Sequence, residues 1–354
     1  MKKVIKFLLS LVIIITGCNL LDDDGPKDPR DYTWTLDTLV QSGPPNPQLS
    51  LRRMWGNSSD NIYIVGHSFN MIGTMWHYNG DTWSVVPIIK MNGGPIENKH
   101  HGINDIYGFS KDDIWAVGHQ LGKNRKYDAF VIHYDGYQWK EINPPDVSRL
   151  ESVIGGNNGE IWVGPSGGGV FRYNGEKWIE GIINFPNTHG NTSYAHSFAY
   201  QENYPLYMFY LNQENQPRYF SKSELYKNKG DSWDFIVDEH DYYVGPPWIS
   251  ENGNVYFGGD KIIKIDGNTI ETIWEFPEGF GTSKLHGIRD DYIFGCGRYL
   301  RGNLGNIVYY DGNEWTILLE ENIEDIFFTD IWTDGKIVFA LGNKHGKTFV
   351  LKGE

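Results

Sequence analysis

The stretch WHYNGDTW, Trp76–Trp83, sets aromatic residues on both sides of an Asn-Gly dipeptide. That is the signature of a tight hairpin between two short strands. The chain repeats it as IHYDGYQW (132–139), FRYNGEKW (171–178) and VYYDGNEW (308–315), each time with Tyr and Trp five residues apart. A short phrase repeated along a chain marks one structural unit used many times.

Extending the phrase outward defines the unit. MWGNSSDNIYIVGHSFNMIGTMWHYNGDTW (54–83), IYGFSKDDIWAVGHQLGKNRKYDAFVIHYDGYQW (106–139) and VIGGNNGEIWVGPSGGGVFRYNGEKW (153–178) share one plan. An apolar run leads to a polar turn and a strand ending in Gly. A variable loop, a strand ending in Tyr, the tight turn and a Trp strand follow. Four short strands per repeat of a few tens of residues describe a β-propeller blade. Weaker copies lie at 206–237 and 254–274, and a clear one at 290–318.

The last unit, 330–354, holds only three strands. Its missing strand matches DYTWTLDTL (31–39) at the other end of the chain. The Trp slots then read Trp34, Trp83, Trp139, Trp178, Trp233, Ile270 and Trp315, about 47 residues apart. The expectation is an all-β, seven-bladed β-propeller over 32–354, closed by pairing of the N-terminal strand with the last blade. A blade cannot bury its own faces, so it stacks on neighbours that present the same surfaces.

The strand ending in Gly, then a Tyr strand, a turn and a Trp, resembles a kelch-type, WD-repeat-like blade. The match departs where the kelch double Gly becomes Gly66–His67 and Gly118–His119, while Gly258–Gly259 keeps it. Secreted bacterial propellers with D-x-[WY]-x-V-G … H-Y-[DN]-G-x-x-W repeats are more similar. The resemblance implies architecture and says little about activity, because propellers carry many unrelated functions.

The first residues read differently. Lys2, Lys3 and Lys6 flank the apolar run FLLSLVIIIT (7–16), which ends in ITGC (15–18). A basic start and a short apolar stretch fit a secretory signal over residues 1–17. ITGC resembles the lipobox of bacterial lipoproteins, which implies lipidation of Cys18. The acidic LLDDDG (20–25) resembles the tract behind the lipidated Cys of surface-exported lipoproteins of Bacteroidota-type bacteria. Residues 18–31 are expected to form an acidic, Pro- and Asp-rich tether. The expected address is the bacterial cell envelope, lipid-anchored to the outer membrane and surface-exposed.

Loss of residues 1–17 removes three lysines and no acid, taking the formal charge from −14 to −17. So acidic a protein is not expected to bind nucleic acid. With Cys18 lipidated, Cys296 has no partner in the chain; it occupies the slot of Val117 and reads as a small buried residue.

Tests for chemistry return little. YNGDTW imitates the end of a sialidase Asp box, but its Asn or Asp directly precedes Gly, so the match fails. The eleven His show no paired zinc-ligand spacing, and His100–His101 are assigned to a loop. His77 and His133, before the blade Tyr, read as structural. No cofactor or metal is expected.

Loops between second and third strands, and those joining blades, share one face of a propeller. Here they are rich in Asn, Gly, Tyr and His, which suit sugars or peptides. The candidate ligand residues are His67, His119, Arg125, Tyr127, Arg298 and Tyr299. The expected function is a non-catalytic binding or scaffold module for a glycan or an envelope protein, working as a monomer or as a subunit of an envelope complex. The alternative is a glycan-cleaving enzyme, a glycoside hydrolase or lyase, with carboxylates gathered at the channel mouth.

Overall fold

The computed structural model describes residues 27–40, 48–68, 73–87, 101–122, 126–185, 194–212, 222–239, 245–267, 269–276, 281–298, 305–319 and 325–354. Its strands form seven sheets, antiparallel but for one added strand, arranged as the blades of a ring. Blade I holds Leu49–Ser58, Asn61–Ser68, Met75–Tyr78 and Trp83–Val85, from the channel outward. Blades II, III, IV, V and VI begin at His101, Leu150, Tyr194, Trp248 and Thr282. Blade VII combines Phe327–Thr333, Val338–Lys344 and Lys347–Gly353 with Trp34–Leu39.

That last sheet closes the ring as expected. Trp34–Leu39 runs antiparallel to Lys347–Gly353, from Trp34 opposite Gly353 to Leu39 opposite Thr348. Thr33 and Glu354 extend the ladder with two further backbone hydrogen bonds, 2.8 and 3.2 Å. The preceding residues dock on blade VI, where the hydroxyls of Tyr32 and Tyr292 hydrogen-bond at 2.8 Å and Arg30 pairs with Asp311. Closure removes the two sheet edges an open array would expose.

The core is divided. Seven clusters of buried side chains each lie between two neighbouring blades. This is the physical reason the sequence repeats, since a blade's faces are buried only by the blades beside it.

The four copies of the opening phrase fold alike. The Tyr hydroxyl donates to the turn Gly carbonyl in each: Tyr78 to Gly80, Tyr134 to Gly136, Tyr173 to Gly175 and Tyr310 to Gly312. The ring lies 5.0–5.4 Å from the Trp that follows. Only the Gly of each pair takes a positive φ, between 87° and 95°. The Asn or Asp contributes its side-chain oxygen instead: Asn79 accepts from the N–H groups of Asp81 and Thr82, and Asp311 from those of Asn313 and Glu314. This corrects the simplest two-residue turn, because the loop is four residues locked from within.

Other assignments are refined. His101 opens the inner strand of blade II, His101–Ser110, so it does not lie in a loop; His100 falls outside the described residues. Ile182–Asn184 adds a fifth, parallel strand outside Ser232–Glu239 in blade IV. Trp233 is consequently fully buried, edge-on to Trp162 of blade III at 5.2 Å. His77 bonds Asn61 at 2.7 Å and stacks on Tyr63, while His133 bonds Asp113 at 2.8 Å and stacks on Trp115. Cys296 is wholly buried opposite Lys284. Among the described residues no helix is long and apolar enough to cross a membrane.

Candidate functional site at the channel mouth

Six inner strands carry a β-bulge at one level. The bulged residues are Arg52, Asn104, Glu151, His196, Ser283 and Thr329. A bulge adds a residue to one strand and re-aims its side chain. All six line one cavity of about 410 Å³, to which blade V contributes Gly245 and Pro246. This is the mouth of the central channel, on the face of the blade-joining loops, and every blade reaches it.

One residue further along, the same strands build a lower layer. Lys284, Asp330, Arg53 and Asp105 occupy equivalent positions on blades VI, VII, I and II, so charge alternates in sign along four consecutive blades. Each Asp also staples its blade to the next. Asp105 accepts from the N–H of Val153 at 2.9 Å, and Asp330 from that of Met54 at 2.9 Å. Ser152 does the same with its hydroxyl, donating to the Ala195 carbonyl at 2.9 Å. Burial pushes the Asp105 carboxyl up to about 6, against the pull of Arg53 and these hydrogen bonds. Asp330 moves up for the same reason, and burial lowers the Lys284 ammonium. These charges are mutually compensated and serve the ring.

The upper layer is different. Arg52 and Arg53 line the mouth, and Arg149 pairs with Glu151 at 3.6 Å. Burial pushes the Glu151 carboxyl up while Arg149, Arg53 and Arg52 all pull it down, and Arg53 is shared with Asp105 of the lower layer at 3.8 Å. His196 sits in the same cavity, pushed down to about 3 by burial, with Arg53 and Lys284 nearby.

Three of the six candidates from sequence join this site from its rim. The imidazoles of His67 and His119 lie 5.4 Å apart, and Tyr127 meets His119 edge-on at 4.8 Å. Arg149 covers the Tyr127 ring at 5.4 Å, which links the rim to Glu151. His67 is bonded to Asn104 and pushed down by burial, so it is neutral at pH 7. Gly102 makes this pairing possible, since a Cβ there would lie 2.4 Å from the His67 ring and 2.8 Å from that of His119. Arg125 and Tyr299 lie outside the described residues, as do Cys18 and the side chain of Arg298.

Glu151 and His196 sit on inner strands rather than loops and were not among the candidates from sequence, while Arg52, Arg53 and Arg149 are visible in the sequence but nothing in it shows that they converge. Their signal is a break in strand alternation. An apolar residue is followed by two polar ones in Leu51–Arg52–Arg53, Ile103–Asn104–Asp105, Leu150–Glu151–Ser152 and Phe328–Thr329–Asp330. Among the described residues no group of three or more His, Cys, Asp or Glu is placed to hold a metal ion.

No protein-family model and no curated protein matches this chain. Solved structures do. A structure of YCF48 bound to D1 peptide is 15% identical with a TM-score of 0.60, covering 91% of this chain and 97% of that one. A chain of the mitotic checkpoint complex is 11% identical with a TM-score of 0.61, covering 99% and 98%. The β-propeller domain of the Trilobed protease from Pyrococcus furiosus, described as having an open velcro topology, is 13% identical at 0.52, covering 86% and 95%. At such identities the likeness is one of fold, and the fold is a β-propeller.

Proposed function

We propose that this chain is a lipid-anchored envelope protein, tethered through Cys18, that serves as a non-catalytic binding or scaffold module for a partner protein. The channel mouth receives an acidic group of that partner, a side-chain or terminal carboxylate. The observation that carries this reading is the gathering of Arg52, Arg149 and Arg53 about Glu151 at the cavity, with Arg53 shared with Asp105 below. On a strongly acidic protein, such a cationic patch orients and selects an anionic ligand. Guanidinium groups suit carboxylates because they bond them in a fork.

Two further observations support binding over glycan cleavage. Asp105 and Asp330 are each held by two backbone N–H groups, and Glu151 by Arg149. Among similar folds, the YCF48 structure holds a peptide.

The test places a photo-cross-linking residue at Tyr127, half exposed on the rim, in the full chain in its own membrane. One partner protein captured by this chain, and lost when Arg52→Ala and Arg149→Ala are combined, is the expected result. Capture should also weaken as salt rises. Capture that ignores both substitutions, or that no acidic peptide competes away, would overturn the reading.

A further inference from the structure

On the opposite face, where inner and second strands are joined, a cleft of about 1030 Å³ spans blades II, III and IV. It lies at the upper end of small-molecule pockets, ~300–1,000 Å³, and takes its lining from three successive blades.

Its aromatic walls are fixed in advance. Tyr107 and Phe109 stand perpendicular, 5.3 Å apart, and both press on Gly155 of the next blade, where a Cβ would lie 2.4 Å from either ring. At the far end Tyr204 lies on Gly253 of blade V, where a Cβ would come within 2.1 Å of its ring. Phe109 remains 37% exposed, a large apolar ring presented to the cleft. Rings held by packing bind without a large loss of rotamer entropy.

Amides line the space between. The hydroxyl of Tyr200 donates to Asn157 Oδ1 at 3.0 Å, which holds that side chain in the lining. Asn158 and Asn203 occupy the two facing loops with φ of 63° and 70°. Glycine would adopt that backbone with less strain, so Asn here keeps an amide at the cleft edge.

Charge identifies the ligand class. Among the described residues the lining contains Glu160 and Glu202 and no Lys, Arg or His. The guanidinium of Arg172, beside the cleft, is taken up by Glu160 and Asp231 and covers Trp162. An anionic ligand finds no counter-charge, and a ligand rich in cations finds one uncompensated acid. Aromatic faces beside amides that both donate and accept match the C–H faces and hydroxyls of a sugar. We propose that this cleft binds an uncharged oligosaccharide, independently of the arginine-lined mouth on the other face.

The test is affinity electrophoresis and calorimetry of the purified full chain against hexasaccharides of glucose, mannose, xylose and galactose, with oligogalacturonate as the charged comparison. A neutral hexasaccharide should bind, with little change between low and high salt. Phe109→Ala should weaken it at least tenfold. Asn203→Gly should weaken it as well while holding or raising the melting temperature, which separates ligand contact from folding. Arg52→Ala with Arg149→Ala should leave this binding unchanged while abolishing partner capture at the mouth. Absence of binding to every neutral sugar, preference for oligogalacturonate, or undiminished binding in both cleft variants would overturn the proposal.

Discussion

The indole N–H of Trp332, in the last blade, donates to the carbonyl of Gly56 in the first at 2.9 Å, and the ring covers that glycine. Rings also cover the inner-strand glycine of the next blade further round, with Trp55 over Gly108, Tyr107 over Gly155 and Trp248 over Gly287. A Cβ on Gly56 would lie 2.2 Å from Ile62 Cδ1 and 3.2 Å from the Trp332 ring. Gly56→Ala is therefore expected to cost about 1–3 kcal/mol through overpacking. Trp332→Phe keeps a ring and loses the hydrogen bond, costing about 1 kcal/mol or more. Urea unfolding of each variant measures both.

Two turn glycines separate backbone strain from contact. Gly80 and Gly175 have φ of 94° and 95°, but a Cβ on Gly80 meets Asp60 Cβ at 2.8 Å while one on Gly175 meets nothing within 4 Å. Gly175→Ala should cost roughly 1 kcal/mol for the left-handed backbone alone. Gly80→Ala should cost clearly more. Equal melting temperatures for the two would show that adjacent turns do not press on each other.

Deleting residues 1–39 removes the strand that covers Lys347–Gly353, along with buried Tyr32 and Leu39. The exposed edge should drive association, seen as high-mass species in size-exclusion chromatography and loss of a single sharp thermal transition. A peptide spanning residues 27–40, added in excess, should restore the monomer. A truncated chain that stays monomeric with an unchanged transition would show that closure contributes little.

His286 makes the junction of blades VI and VII sensitive to acid. Its Nδ1 accepts the Thr333 N–H at 3.2 Å, which requires the neutral ring. Burial, with Lys284 nearby, pushes this imidazole down from 6.5 to about 3. As pH falls through that window the unfolded chain takes up the proton first. Stability that is fully present above pH 6.5 is therefore lost as pH drops towards 3. Asp105, raised to about 6, acts in the opposite sense over part of the range, so a difference measurement is needed. His286→Asn keeps an acceptor and cannot titrate. Relative to it, the parent chain should lose about 1.4 kcal/mol per pH unit below pH 6, read from urea midpoints between pH 4 and 7. Parallel stability curves would remove His286 from the account.

The turns were legible because their hydrogen bonds are local. Tyr78 bonds Gly80, Asn79 bonds Asp81 and Thr82, and Tyr78 packs on Trp83, so four copies advertise themselves by spacing alone. The inter-blade glycines were not legible, since Gly108 needs Trp55, more than fifty positions away. The rim residues His67, His119 and Tyr127 were reachable from loop composition. The arginines behind them were not, because Arg52 and Arg149 belong to different blades and meet only when the ring exists.

By itself the amino-acid order determined the blade, the number of blades and the way the circle shuts, because hairpin chemistry and alternation act over a few neighbouring residues and recur. Which side chains share the axis, and which face carries the aromatic cleft, were decided by tertiary structure. Curvature of the closed ring brings inner strands from seven distant segments to one centre, and no local pattern encodes that distance.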